Sequence, residues 1–182
     1  MVAERAPATL VFVDETGTNL AMTRRYGWAR RGQRVVGQVP RNHGPNVTLI
    51  AALDQEGLVG ELTITGAMDR LAFDAYVTRI LVPALRPGQT VIWDNLSAHK
   101  SRTARMWIEA AGCQVVCLPP YSPDFNPIER AFSKLKTFLR QAGARTRADL
   151  DQAITAALGT ITSQDAAAWF AHCAYVDSSQ LI

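Results

Sequence analysis

Apolar positions along the chain fall into short runs first and helical stripes later. Leu10 to Val13 is a continuous apolar run ending in Asp14-Glu15-Thr16-Gly17, which predicts a buried central strand followed by a turn. Tyr26 to Arg34 predicts a short second strand, bent at Gly27 and Gly32. Val47 to Leu53 is another apolar run, and Asp54-Gln55-Glu56-Gly57 turns it into the partly alternating segment Leu58 to Thr65. The period then changes. Asp69 to Leu85 carries Leu71, Ala75, Val77 or Thr78, Leu81 and Val82 at helical spacing, and Pro87-Gly88 ends it. Thr90 to Trp93 is a short buried strand with Asp94 at its end. Ser101 to Ala111 is helical and closed by Gly112, and Gln114 to Leu118 is a strand stopped by Pro119-Pro120.

The clearest helix spans Pro127 to Gln141, where Ile128, Phe132, Leu135 and Leu139 form one stripe. Pro127 suits its first position and Asn126 its cap. Thr146, with Asp149 three residues on, caps a helix carrying Leu150, Ile154, Leu158 and Ile161. Ser163 is the expected cap of a last short helix bearing Trp169 and Phe170. Those two aromatics and Trp107 read as core, and core packing is also the expected place of Trp28. Strands, then alternation, then helices predict an α/β fold, a mixed central β-sheet flanked by α-helices.

At 182 residues, 48% of them apolar, the chain can fill one domain with its own core. No apolar run reaches the roughly 18 residues of a membrane span, and the N-terminus lacks a signal-like stretch, so cytoplasmic residence and no membrane partner are expected. Cys113, Cys117 and Cys173 are too few for a disulfide framework and read as buried thiols; only His172 beside Cys173 hints at metal. The net charge of +3 is modest but unevenly placed. Thr16 to Leu53 contains no acid, yet holds Arg24, Arg25, Arg30, Arg31, Arg34 and Arg41. Arg130 to Ala148 repeats this with Lys134, Lys136, Arg140, Arg145 and Arg147. Two acid-free basic blocks fit either solvated surface or a polyanion partner, and the preference for guanidinium in the first favours phosphate.

Three acids stand out against this background: Asp14, Asp94 and Glu129, the last two with 34 residues between them. Singly, each has a structural role. Asp14 and Asp94 suit turns, and Glu129 lies three residues after a capping Asn. Together they are three oxygen donors at the carboxyl ends of strands and the opening of a helix, where α/β sheets gather ligands. Such a set suits a hard cation like Mg²⁺. Strand alternation sets Glu15 on the face opposite Asp14, and Asp124 is the rival to Glu129, read here as shaping its loop.

Asp14-Glu15-Thr16-Gly17, then Tyr26 to Gln33, then Asp94-Asn95-Leu96-Ser97-Ala98-His99, then Pro119-Pro120-Tyr121-Ser122-Pro123-Asp124-Phe125-Asn126-Pro127-Ile128-Glu129 resemble, in that order, the DDE-type transposases of the mariner superfamily. The likeness runs from about Thr9 to Arg140 and is strongest to the bacterial insertion-sequence branch, which also has glutamate at the third position. The resemblance implies an RNase H-like fold, catalytic and metal-binding roles for Asp14, Asp94 and Glu129, and two Mg²⁺ ions, with Mn²⁺ as a substitute. It implies DNA partners, both transposon ends and target, cleavage to a free 3′-hydroxyl and transfer of that end. A homodimer on DNA is expected from the need to pair two ends. Asn95 reads as orienting Asp94 or a water, or as a turn residue; His99 as touching a scissile phosphate or a metal-bound water, or as bonding backbone at a helix start. Arg24, Arg25, Arg30, Arg31, Arg34, Lys134 and Lys136 are the expected DNA contacts. The helix-turn-helix modules of full transposases have no room before Leu10, so a single domain over 1–182, with a separately encoded helix-turn-helix partner, is expected. A nuclease that does not join strands, and a silent DNA-binding regulator, are the competing readings.

Overall fold

The computed structural model describes residues 6–94, 101–119 and 122–176. Five strands form one sheet: β1 (Leu10–Thr18), β2 (Val47–Asp54), β3 (Gly57–Thr65), β4 (Thr90–Trp93) and β5 (Gln114–Cys117), in the order β3-β2-β1-β4-β5. The β1–β2 and β2–β3 pairs are antiparallel; β1–β4 and β4–β5 are parallel. This is the expected mixed sheet flanked by helices. Asp54 makes the first hairpin tight: its Oδ1 accepts from the Glu56 and Gly57 amides, and Gly57 takes φ 138°, which a side chain disfavours.

Both faces of the sheet are covered, and strand alternation divides the core in two. Leu10 and Phe12 of β1 and Ile92 of β4 meet α4 (Ile128–Ala142), α5 (Arg147–Leu158) and α6 (Ser163–His172) on one face. Val11 and Val13 with Val91 and Trp93 meet α1 (Arg70–Tyr76) and α3 (Arg102–Ala110) on the other. The first of these helices runs on from α1 through a π-helical segment, Val77–Leu81, into α2 (Val82–Ala84), so the expected span to Leu85 holds with a local widening that ends two residues ahead of Pro83.

Several expectations change. β1 does not end at Val13; pairing with β2 carries it to Thr18, so Asp14 stands mid-strand. Tyr26–Arg34 is not a strand. Arg24 to Val39 is an exposed excursion with no facing strand, folded back where the Gln33 amide reaches the Arg30 carbonyl at 2.9 Å. A Cβ on Gly27 would stand 2.6 Å from Val35 Cγ1, so a larger residue there would make the Val35 side chain shift. Trp28 is fully exposed at its end and Trp107 is 47% exposed, so neither belongs to the core, whereas Phe170 does. Thr162, not Ser163, caps α6, because it forms a reciprocal capping box with Asp165. Lys134 of α4 completes that corner, its amine 2.6 Å from Asp165 Oδ2 and 2.8 Å from the Thr160 carbonyl. The lysine and Thr162 hold the Asp165 carboxyl down to about 2. Cys117 is exposed, while Cys113 and Cys173 are buried as expected.

Phe12 is the keystone of the first core. It is wholly buried, edge-on to Phe170 at 5.4 Å and 5.1 Å from the Tyr175 ring. Phe12→Ala is expected to cost about 3–5 kcal/mol in urea unfolding, well beyond the effect of an exposed change such as Val36→Ala.

Candidate active site

The parallel register of β1 and β4 sets the first two acids side by side. Phe12 pairs with Ile92 at the end of the shared ladder. Asp14 and Asp94 each follow two residues later, Asp14 on the same side of β1 as Phe12 and Asp94 just past the end of β4, and the charge of Asp94 acts on Asp14. The Phe12 side of β1 is the face α4 covers, with Ile128 and Phe132 packed into the same core as Phe12. Glu129 follows Ile128 in the first turn of α4, where it is exposed and its charge acts on Asp14. Glu15 has the opposite parity, that of Val11 and Val13.

Asp14 is only 8% exposed. Its Oδ1 accepts from the Glu15 amide at 2.8 Å and its Oδ2 from Asn126 Nδ2 at 2.8 Å. Burial pushes its carboxyl from the ordinary 3.8 up to about 7; the Glu15 amide opposes this, and the charges of Glu129, Glu15 and Asp94 add to it. The three candidate acids therefore act on one another through a common field. Among the described residues, no three Asp, Glu, His or Cys side chains are drawn together tightly enough to hold an ion as they stand. Like charges repel, and Asp14 is held by its own hydrogen bonds. The donor set, three carboxylates in a partly desolvated field, nevertheless fits a hard divalent cation, which would relieve the repulsion that raises Asp14.

Asn126 departs from its expected role. The helix is capped by Pro127 without any side-chain cap bond, and Glu129 does not reach back to the cap. Asn126 instead gives its amide to Asp14, while its carbonyl accepts from the Glu129 amide at 3.2 Å. The Asn-Pro-Ile-Glu pattern imitates a cap, which hid this contact; a residue ahead of proline is kept off helical geometry and free to aim elsewhere. Asp124, the rival to Glu129, is exposed in the short turn Pro123–Phe125, and its charge acts on Cys173. Asn95 and His99 lie outside the described residues. His172 does not join a metal cluster with Cys173; its Nε2 lies against the Arg130 guanidinium.

Beside Glu129 an open groove of ≈ 690 Å³ runs between α4 and α6, lined by Asn126, Arg130, Lys134, Trp169 and His172. The basic blocks converge elsewhere on α4. Arg25 lies near enough to Arg140 to help lower its pKa, after desolvation, and Arg145 Nη1 donates to the carbonyls of Leu20 and Met22. Arg24, Arg25, Arg30, Arg31 and Arg34 are all exposed on the excursion. Lys136 is half-buried, and Lys134, expected to face phosphate, spends its amine on Asp165.

Comparison with known proteins agrees with this arrangement. The family described as DDE superfamily endonuclease matches residues 9–151. The Tcb1 transposable-element transposase of Caenorhabditis briggsae is 27% identical over 143 residues, covering 73% of this chain and 52% of that protein. The Mos1 transposase paired-end complex with left transposon end superposes with a TM-score of 0.76 at 17% identity, over 92% of this chain and 53% of that one. The Mos1 mariner paired-end complex with Mn gives 0.73 at 17% identity, over 92% and 53%. The sheet and its helices are thus an RNase H-like fold, and the chain spans about half the length of the relatives it matches.

The raised Asp14 carboxyl has a measurable consequence. Between 3.8 and about 7 the folded state holds a proton that the unfolded chain has released. Stability therefore falls as pH rises through that window and levels off above it. In EDTA, the melting temperature of wild type is expected to fall from pH 4 to 7.5 more than that of Asp14→Asn; equal pH profiles would contradict the assignment.

Proposed function

Because the chain belongs to the DDE superfamily endonucleases, we propose that it is the metal-dependent catalytic domain of a DNA transposase, with Asp14, Asp94 and Glu129 as its catalytic and metal-binding acids. The observation that supports this is that the charges of Asp94 and Glu129 both act on the Asp14 carboxyl, with Asp14 and Asp94 each two residues past the paired Phe12 and Ile92 and Glu129 in the first turn of α4. Asp14, Asp94 and Glu129 would hold two Mg²⁺ or Mn²⁺ ions, which would supply charge stabilisation to the reacting phosphate; a solved Mos1 neighbour carries Mn. Asp14 is fixed by Asn126 and the Glu15 amide, so its carboxylate plane is set before substrate arrives.

The reaction divides into two displacements at phosphorus. A water oxygen first bonds to phosphorus at the element end as the P–O3′ bond breaks, leaving a 3′-hydroxyl. That hydroxyl then attacks a target phosphodiester, one P–O bond forming as another breaks, so joining needs no further energy source. No side-chain nucleophile is required. Asn95 orienting Asp94 and His99 touching the scissile phosphate remain part of this reading.

DNA is the proposed partner, as transposon end and as target. Arg24, Arg25, Arg30, Arg31 and Arg34 on the excursion, with Arg140 of α4 and Lys136, would hold its backbones. Exposed Tyr26 and Trp28 among these arginines suit base or sugar stacking. Two ends must be paired, so a homodimer on DNA is part of the proposal, and so is end recognition by a helix-turn-helix unit supplied separately. Glu129 at the third position supports placement in the bacterial insertion-sequence branch, although the named worm relative comes from an animal element. No helix among the described residues is long and apolar enough to cross a membrane.

Oligonucleotide nicking in Mg²⁺, reduced to background by Asp94→Ala and by Asp14→Ala but retained by Glu15→Ala, is the expected result. Pre-cleaved ends should be joined to target; cleavage without joining would identify a nuclease, and activity indifferent to Asp94 would sink the triad. For DNA affinity, wild type should weaken steeply with salt. The double variant Arg25→Ala/Arg140→Ala should lower the log–log salt slope by about 2, measured by fluorescence anisotropy.

A further inference from the structure

One buried side chain links two of the three acids without being an acid itself. Asn126 is 5% exposed. Through its side chain it donates to Asp14 Oδ2 at 2.8 Å, and through its carbonyl it accepts the amide of Glu129 at 3.2 Å. These two bonds join a mid-strand carboxylate on β1 to the first turn of α4, 112 residues apart in sequence. Asn126 is thus a direct hydrogen-bonded link between the start of α4 and Asp14.

The fold gains little from having an asparagine at this position. Among the described residues its Oδ1 is buried with no hydrogen-bond partner, and an unsatisfied buried amide oxygen opposes stability. It caps no helix, the role that best repays a buried asparagine. An apolar residue of the same size would fill the space without that cost. What only the amide supplies is an N–H aimed at Asp14. An N–H is the right partner for a metal-binding carboxylate, because it holds the ionised form and fixes the group's plane while leaving the other lone pairs for the ion. A second carboxylate there would repel Asp14, and a lysine would compete with the cation.

We propose that Asn126 is a positioning residue for divalent metal: its side-chain amide sets the Asp14 carboxylate relative to Glu129, so that the chain binds Mg²⁺ or Mn²⁺ more tightly without Asn126 itself touching the ion. This rests on the reading of Asp14, Asp94 and Glu129 as the metal-binding acids. Its signature is a loss of metal affinity unaccompanied by a loss of fold, since the contribution is to the ligand's orientation and not to the core.

The test is Mn²⁺ binding to the whole chain by calorimetry, with melting temperature measured on the same samples in EDTA. Wild type is expected to bind, and Asp14→Ala to lose binding. Asn126→Leu is expected to melt no lower than wild type yet bind Mn²⁺ about 10–100-fold more weakly. In nicking assays its requirement for Mn²⁺ should rise by the same factor, while kcat at saturating Mn²⁺ largely recovers. Asn126→Ser, whose hydroxyl is too short to reach Asp14, should show the same loss and serves if leucine does not fold. Wild-type Mn²⁺ affinity in a folded Asn126→Leu or Asn126→Ser overturns the inference and leaves the triad standing. Failure of both variants to fold overturns it too, by making Asn126 a structural residue. Binding unchanged in Asp14→Ala, or absent from wild type, removes the triad and this inference with it.

Discussion

The parallel register between β1 and β4 is the constraint on which the rest of the site depends. Side chains alternate along a strand, so each residue's face is decided once one residue of the pair is placed. Phe12 and Ile92 must face α4 because that is where their apolar area is buried. Asp14, two residues further along β1, then inherits that face, and Asp94 leaves β4 two residues past Ile92. A slip of one residue in either strand would send its acid to the opposite side and expose its hydrophobic set at the same time. The hydrophobic effect that builds the core thereby also enforces the geometry of the acids.

The acids in turn work against the fold. A carboxyl as buried as Asp14, in the field of Glu129, Glu15 and Asp94, resists ionisation. Such local frustration is common where chemistry is done, because a site ready for a cation is repulsive without one. The surrounding structure absorbs the conflict with the Phe12–Phe170–Tyr175 cluster directly beneath and with the Lys134–Asp165–Thr162 corner, which holds α6 against α4. Tyr175 links the two regions, its hydroxyl donating to the Phe125 carbonyl just ahead of Asn126 at 2.9 Å.

Charge is handled by separation. Asp14 lies midway along β1, Asp94 just past β4 and Glu129 in the first turn of α4, whereas the arginines occupy the excursion between β1 and β2 and the later part of α4. The excursion has no strand partner and displays Tyr26, Trp28, Val36 and Val39 to solvent. An arginine-rich surface on the same domain suits a polyanion whose backbone must approach carboxylates: the guanidinium groups supply the attraction that the acids alone would deny.

How much of this was legible in the chain follows from the range of the interactions concerned. The apolar runs at Leu10–Val13, Val47–Leu53 and Thr90–Trp93, and the stripe Ile128, Phe132, Leu135, Leu139, are local periodic signals, and their elements appear where those signals place them. The order of Asp14, Asp94 and Glu129, and the Pro119–Glu129 block, likewise reside in the residues themselves, and the family match over 9–151 spans them. Features set by non-local partners were not legible. β1 extends to Thr18 only because β2 pairs with it, and Tyr26–Arg34 is no strand because nothing pairs with it. Trp28 and Trp107 look like core residues until the surface is known. Asn126 reads as a cap from its neighbours and becomes a partner of Asp14 only once a helix is laid on a strand 112 residues away. Periodicity and motif thus determined which elements and which acids the chain carries. Only the tertiary structure decided which of them touch, because pairing energy depends on a partner that the local sequence does not contain.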